Sequence, residues 1–189
     1  RAAANHRHPL ARRGGRRRGF AKHRFAPLQP AGCAKPAVER WACPMKLLDT
    51  YRGTVYPWHC DHMNHMNVMW YVGKFDEATW NLMSHLGMSA AFLREHHRGM
   101  AAIDQRISYQ RELHAGDTVA IRTGVVDVTD KKIIFFHEMR NADTDAVSAV
   151  TLLTGIHLDT QTRKSCHLPK AAADKARELV VAYELPWTS

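Results

Sequence analysis

Between Trp58 and Tyr71 the chain reads Trp-His-Cys-Asp-His-Met-Asn-His-Met-Asn-Val-Met-Trp-Tyr. One carboxylate, three imidazoles, a thiol and two amides stand directly before a strongly apolar stretch. Asp61 could activate water as a general base or attack as a nucleophile, and it fits a turn or a cap equally well. His65 can orient groups or move a proton near neutral pH, or simply satisfy a loop carbonyl. Asn67 is placed to cap a helix. That would leave the N–H groups of Val68 and Met69 directed outward, as donors suited to a carbonyl oxygen that gains negative charge. The same cap can form with nothing bound.

Rival chemistries at this segment are weaker. His59, Cys60, Asp61, His62 and His65 match no common zinc spacing and have no second ligand cluster downstream, so no metal and no cofactor is expected. If the chain is extended here, Cys60 and Asp61 point to opposite sides, which disfavours a cysteine nucleophile sharing a site with Asp61. His59 and His62 read as loop-surface residues.

The elements that must hold this segment follow from patterning. Residues 48–57 have a strand-like centre at Thr54-Val55-Tyr56, ended by Pro57. Residues 67–86 predict a helix with Val68, Tyr71, Val72, Phe75, Ala78, Leu82 and Leu86 at helical spacing. Lys74, Glu77, Asn81, Ser84 and His85 form a narrow polar stripe. Met69, Trp70, Trp80 and Met83 widen the apolar side beyond one face, so other structure should wrap this helix. Gly87 is a stop signal, and a short helical piece spans 89–97. Four strand-like runs follow, over 100–112, 118–128, 132–140 and 146–158, with a Gly116-Asp117 turn and a hairpin tip at 129–131. Pro169 opens a last helix over 170–182. Hairpin-like connections predict an α+β fold, an antiparallel sheet around one long central helix.

Over the whole chain the formal charge is +9, but residues 1–44 hold eleven Lys and Arg against one acid, Glu39. Residues 45–189 hold sixteen basic and seventeen acidic residues, so nucleic-acid binding is not expected of the folded domain. Residues 1–44 are Arg-, Ala-, Gly- and Pro-rich without apolar periodicity and read as a disordered basic tail. It could be a basic arm, a transit peptide that lacks the usual Ser, or a stretch outside the natural product, since Met45 directly precedes the ordered text. The four cysteines, Cys33, Cys43, Cys60 and Cys166, form no CxxC pair and read as reduced thiols of a cytoplasmic protein. No run approaches the roughly 18 apolar residues of a membrane span, so no membrane partner is expected.

Asp61-x-x-x-His65-x-Asn67, then Tyr71 and Glu77-Ala78, resembles the hotdog-fold acyl-CoA thioesterases of the 4-hydroxybenzoyl-CoA thioesterase-like group. That family reads roughly D-x-x-G-H-x-N-N-x-x-Y, followed by an acidic residue and Ala. Residues 107–117, with their Gly-Asp turn, residues 132–139, and residues 149–159 with Arg163 and Leu168-Pro169 resemble the family's later strands and exit. The resemblance covers about 45–170. Asn64 replaces the family's Gly; Asn tolerates the left-handed conformation better than most residues. Val68 replaces the second Asn and removes a side-chain hydrogen bond, which bears on substrate preference.

The resemblance implies a hotdog, an antiparallel sheet wrapped around the 67–86 helix. It also implies a homodimer or homotetramer with sites at subunit interfaces, hydrolysing an acyl-CoA to a free acid and CoA. Asp61 would be base or nucleophile, the Val68 N–H would polarise the thioester carbonyl, and His65 would shape and orient the site. Asn67, Asn64, Tyr71 and, secondarily, Glu77 would contact substrate. Lys131, Lys132, Arg163 and Lys164 are rim cations for CoA phosphates or ordinary solvated charges. Two other functions stay open: an enoyl-CoA hydratase on the same fold, whose D-x-N-P-x-H arrangement is not matched, and a module that binds an acyl thioester without turnover.

Overall fold

The computed structural model describes residues 47–187, and the 1–44 tail with its three readings lies outside the described residues. Strand β1 (Leu48–Thr54) leads through a 3-10 turn (Pro57–His59) and a loop into helix α1 (Val68–His85). Helix α2 (Ala90–Glu95) and strands β2 (Arg98–Tyr109), β3 (Thr118–Val128), β4 (Lys132–Asn141) and β5 (Val147–Asp159) follow, then helix α3 (Lys170–Glu178). The sheet order is β1-β3-β4-β5-β2, and every neighbouring pair is antiparallel. This is the hotdog arrangement, with α1 packed on the sheet.

Hairpin linkage holds for β3–β4 and β4–β5 but fails for β2–β3. Strand β2 lies at the far edge and pairs with β5. The Gly116-Asp117 turn closes on the end of β1 instead: Val55 N–H donates to Asp117 O at 2.8 Å and Gly116 N–H donates to Val55 O at 2.8 Å. Those bonds, with Pro57 opening the 3-10 turn, end β1 at Thr54, so the expected strand centre at 54–56 is its exit. Helix α3 likewise stops short of 182. Val125 N–H donates to Leu179 O and Val181 N–H to Val125 O, which draws 179–181 onto the sheet.

Helix α1 begins and ends where local chemistry dictates. The Asn67 side chain accepts from Met69 N–H at the start, and Gly87, with φ +89°, leaves the helix in the left-handed region. Glu77, Asn81, Ser84 and His85 of the polar stripe are exposed, but the stripe also runs alongside β1. Lys74 is buried and donates to Tyr51 Oη (3.0 Å) and Thr54 O (3.3 Å), and Asn81 Nδ2 donates to Thr50 O (2.7 Å), so the stripe bolts the helix to β1. Apolar residues are left outside: Val68, Met69, Val72 and Trp80 are each at least 40% exposed.

Beneath the helix, Tyr71, Phe75 and Ala78 pack with Val55, Met66, Leu113, Val119, Ile121, Met139 and Ala149. Leu82, Met83 and Leu86 join a second cluster with Val125, Ile133, Phe135 and the small residues of α3. A buried polar chain crosses this core. Thr79 Oγ1 donates to Phe75 O (2.9 Å) and so accepts from His137 Nε2 (2.9 Å). His137 Nδ1 then accepts from Thr123 Oγ1 (2.6 Å), which lies 2.7 Å from Thr50 Oγ1. A neutral imidazole protonated at Nε2 fits that direction, and burial pushes its pKa down to about 3.

Candidate active site

The loop from Cys60 to Asn67 is a small closed unit. Cys60 and Met66 form an antiparallel bridge, Asp61 N–H donates to His65 O (3.2 Å) and Asn64 N–H donates to Asp61 O (3.0 Å). Its turn needs a left-handed residue, which Asn64 supplies with φ +62°. Met66 N–H donates to Leu113 O (2.7 Å) and Asn67 N–H to His59 O (2.9 Å), tying both ends to the body.

Within this unit the Asp61 carboxylate is held by two donors. Oδ1 accepts from Met63 N–H at 2.9 Å, and Oδ2 accepts from Asn67 Nδ2 at 3.0 Å. The Met63 N–H first, then the Asn67 amide and the nearby imidazoles of His65 and His62, hold the carboxyl below the usual carboxylate range, so it is ionised at neutral pH. The amide of Asn67 therefore faces two ways, because its Oδ1 caps α1 through Met69 N–H at 3.0 Å.

That cap corrects one expectation: the Met69 N–H is occupied rather than directed outward. Trp70 N–H is also used, donating to Asn67 O (2.9 Å). The N–H of Val68 finds no acceptor among the described residues and is the donor left at the helix start.

The other named residues divide. His65 sits beside Asp61 in the loop, with Nε2 3.7 Å from Glu112 Oε1. Asn64 is exposed at the turn. Tyr71 is buried below the site and donates its hydroxyl to Arg111 O at 3.3 Å; burial raises its pKa to about 12. Glu77 is exposed on the β1 side of α1, in a groove shared with Asn81 and His85. His62 is exposed, as expected, but His59 is not a surface residue. It is buried, its Nδ1 accepts from Tyr56 N–H at 3.0 Å and its ring lies 4.2 Å from that of Trp70. Burial first, then the Lys74 charge, pushes its pKa down, so it serves as a neutral hinge pin for the loop. The sequence signal was Pro57-Trp58-His59 itself, a 3-10 turn able to fold an imidazole back onto its own first N–H.

The rim cations lie elsewhere. Lys131 and Lys132 are at the β3–β4 tip, and Arg163 and Lys164 follow β5 at that same end. The Asp61 loop lies at the opposite end, beside Leu113 and the start of β3, roughly 30 Å away along an eleven-residue strand. In one chain these four charges do not flank Asp61. Among the described residues no group of three or more His, Cys, Asp or Glu is arranged to hold a metal ion, and no helix is long and apolar enough to cross a membrane.

Residues 55–176 match the family described as the Thioesterase-like superfamily. The chain belongs to that superfamily, and residues 55–176 are its thioesterase-class part. A curated relative, the L-carnitine dehydrogenase/betainyl-CoA thioesterase of Agrobacterium fabrum, is 24% identical over 111 residues, 59% of this chain. The match spans only 22% of that relative's length. Among solved structures, a Staphylococcus aureus protein in complex with CoA superposes with a TM-score of 0.68 at 17% identity, covering 77% of this chain and 94% of that one. The 1,4-dihydroxy-2-naphthoyl-CoA thioesterase of Synechocystis gives 0.62 at 15% identity, covering 68% and 95%. At these identities the structural likenesses establish the fold.

Proposed function

We propose that the protein hydrolyses acyl-CoA thioesters, releasing a carboxylic acid and CoA, with Asp61 as the reacting carboxylate. The observation that carries this reading is the Asp61–Asn67–Met69 chain of hydrogen bonds beside the unpartnered Val68 N–H. It sets an ionised carboxylate next to a donor able to take a thioester oxygen. In one route Asp61 removes a proton from water, and the oxygen of that water attacks the carbonyl carbon. In the other, Asp61 attacks that carbon itself and water then cleaves the anhydride. Either way the C–O bond forms, the C–S bond breaks and the CoA sulfur leaves as thiolate. The Val68 N–H stabilises the carbonyl oxygen as its charge grows, a contribution on the order of 100-fold in rate for one such donor.

His65 shapes and orients the site at the Asp61 edge. Asn67 fixes the carboxylate, Asn64 holds the turn, and Tyr71 anchors α1 from below; Glu77 is placed to act on substrate reaching the β1 side. The free edge of β2 supports a homo-oligomer in which that edge meets a second copy. A partner subunit would also bring its own cations toward Asp61, which Lys131, Lys132, Arg163 and Lys164 of the same chain do not flank. The CoA complex of the Staphylococcus structure supports acyl-CoA as the substrate form. The Agrobacterium relative puts betainyl-CoA in the first assay panel. The test is thiol release across acyl-CoAs of different size and charge, wild type against Asp61→Asn. Release by the wild type that the substitution leaves unchanged removes Asp61 from the reaction.

A further inference from the structure

Alongside α1, on the side facing β2, lies a cavity of about 110 Å³. Its wall is apolar, built by Val72, Trp80, Met83, Met100, Phe135 and Leu153, and its floor includes Gly155. A Cβ on Gly155 would lie 3.0 Å from Met100 Cε and 3.5 Å from Phe135 Cε1, so any side chain there would project into the packed floor. An apolar cavity of about 150 Å³ takes a benzene ring, so this one takes the last few carbons of a chain.

The cavity is in line with the candidate site. Val68, Val72, Asp76, Thr79 and Met83 share one face of α1 by helical spacing, and Val68 and Val72 are exposed and apolar. The rise per residue puts the cavity's near end about 6 Å from Val68 and Asp76 about 12 Å from it. A thioester oxygen at the Val68 N–H would thus direct its acyl chain along an apolar track into the cavity.

Asp76 is the charged residue on the lining, and no basic side chain lines the cavity among the described residues. Asp76 is exposed at the cavity's edge, and its carboxylate has no hydrogen-bond or ion-pair partner among the described residues. Of the other polar groups, Thr79 Oγ1 belongs to the His137 chain, and one N–H of Gln105 Nε2 donates to Thr151 Oγ1 at 3.3 Å, which leaves its second N–H and the Trp80 indole N–H as neutral donors. A carboxylate arriving here would meet a like charge and no cation on the lining, which is rejection by repulsion.

Resting on the acyl-CoA reading above, we infer that this cavity takes the far end of a medium-length, uncharged acyl chain, and that Asp76 makes it refuse a chain ending in a carboxylate. The test compares octanoyl-CoA with suberyl-CoA, its ω-carboxylate counterpart. The wild type is expected to favour octanoyl-CoA at least 30-fold in kcat/KM, and Asp76→Asn to lower that ratio at least tenfold (about 1.4 kcal/mol). A ratio near one in the wild type, or one that the substitution leaves in place, overturns the inference. Calorimetry with the unreactive thioethers S-octyl-CoA and S-(7-carboxyheptyl)-CoA reads the same discrimination without turnover. If no acyl-CoA is hydrolysed yet the thioethers are discriminated through Asp76, the hydrolase reading falls and the cavity assignment stands. If hydrolysis occurs and neither assay shows discrimination through Asp76, the reverse holds.

Discussion

Asn67 joins Asp61 to the start of α1: its amide nitrogen donates to the Asp61 carboxylate at 3.0 Å while its amide oxygen accepts from the Met69 N–H at 3.0 Å. One side chain thus fixes both the charged group and the helix end that leaves the Val68 N–H unoccupied. The helix cap and the donor to Asp61 are the same residue here.

With Asp61 as the proposed reacting carboxylate, Asn67 should help to set the acid limit of activity, after the Met63 N–H. Donors to Asp61 favour its charged form, so the carboxylate stays ionised below the ordinary range. Asn67→Ala removes one donor, and the acid limb of kcat/KM should move to higher pH. The helix should also lose about 1 kcal/mol from the missing cap. A pH–rate profile paired with thermal unfolding separates the two effects; an unmoved acid limb would show that Asn67 does not tune Asp61.

Asn64 should behave as a backbone residue. At φ +62°, a β-branched side chain is strained by about 1–2 kcal/mol, so Asn64→Val should lower both stability and activity. Asn64→Gly should retain or raise stability. Denaturant midpoints for the two variants check this, and equal midpoints would contradict it.

His137 makes the fold sensitive to acid. Its folded pKa of about 3 lies below the unfolded value near 6.5. The unfolded chain therefore takes up a proton first as pH falls, and stability drops between about pH 6.5 and 3, by up to about 1.4 kcal/mol per unit from this one group. His137→Phe should flatten that slope and cost about 1 kcal/mol at pH 7, since Thr79 and Thr123 each lose one hydrogen bond but keep another, to Phe75 O and Thr50. Urea unfolding across pH measures both.

The free edge of β2 should carry the oligomer. Ile103, about half exposed on that edge, is expected to lie in the contact, and Ile103→Lys should shift the mass in light scattering toward the monomer. A wild type that is itself monomeric at assay concentration would contradict the oligomer reading.

Much of this arrangement is legible in the sequence because local rules govern it. The 3.6-residue spacing after Asn67, the Gly87 stop and the Thr129–Lys131 tip are set by neighbours in the chain, and the structure places α1 and the β3–β4 hairpin there. Position 64 was likewise readable, since Asn is among the few residues suited to the left-handed turn that a family Gly implies. What escaped depends on contacts distant in sequence. The β2–β5 pairing is made by residues about fifty positions apart. Lys74 is buried because Tyr51 and Thr54 receive it, and periodicity reports only that it is polar. His59 is the local exception: the Pro57-Trp58-His59 3-10 turn folds it inward, while His62, of the same type, stays exposed.

The central claim is that Asp61 performs acyl-CoA hydrolysis. Thiol release from octanoyl-, benzoyl- and betainyl-CoA by wild type and Asp61→Asn, with the variant's fold checked by circular dichroism, tests it most directly. Turnover of at least one of these by the wild type is expected, with a loss of at least 100-fold in kcat in a folded variant. No release by the wild type, or equal rates for the two proteins, would contradict it.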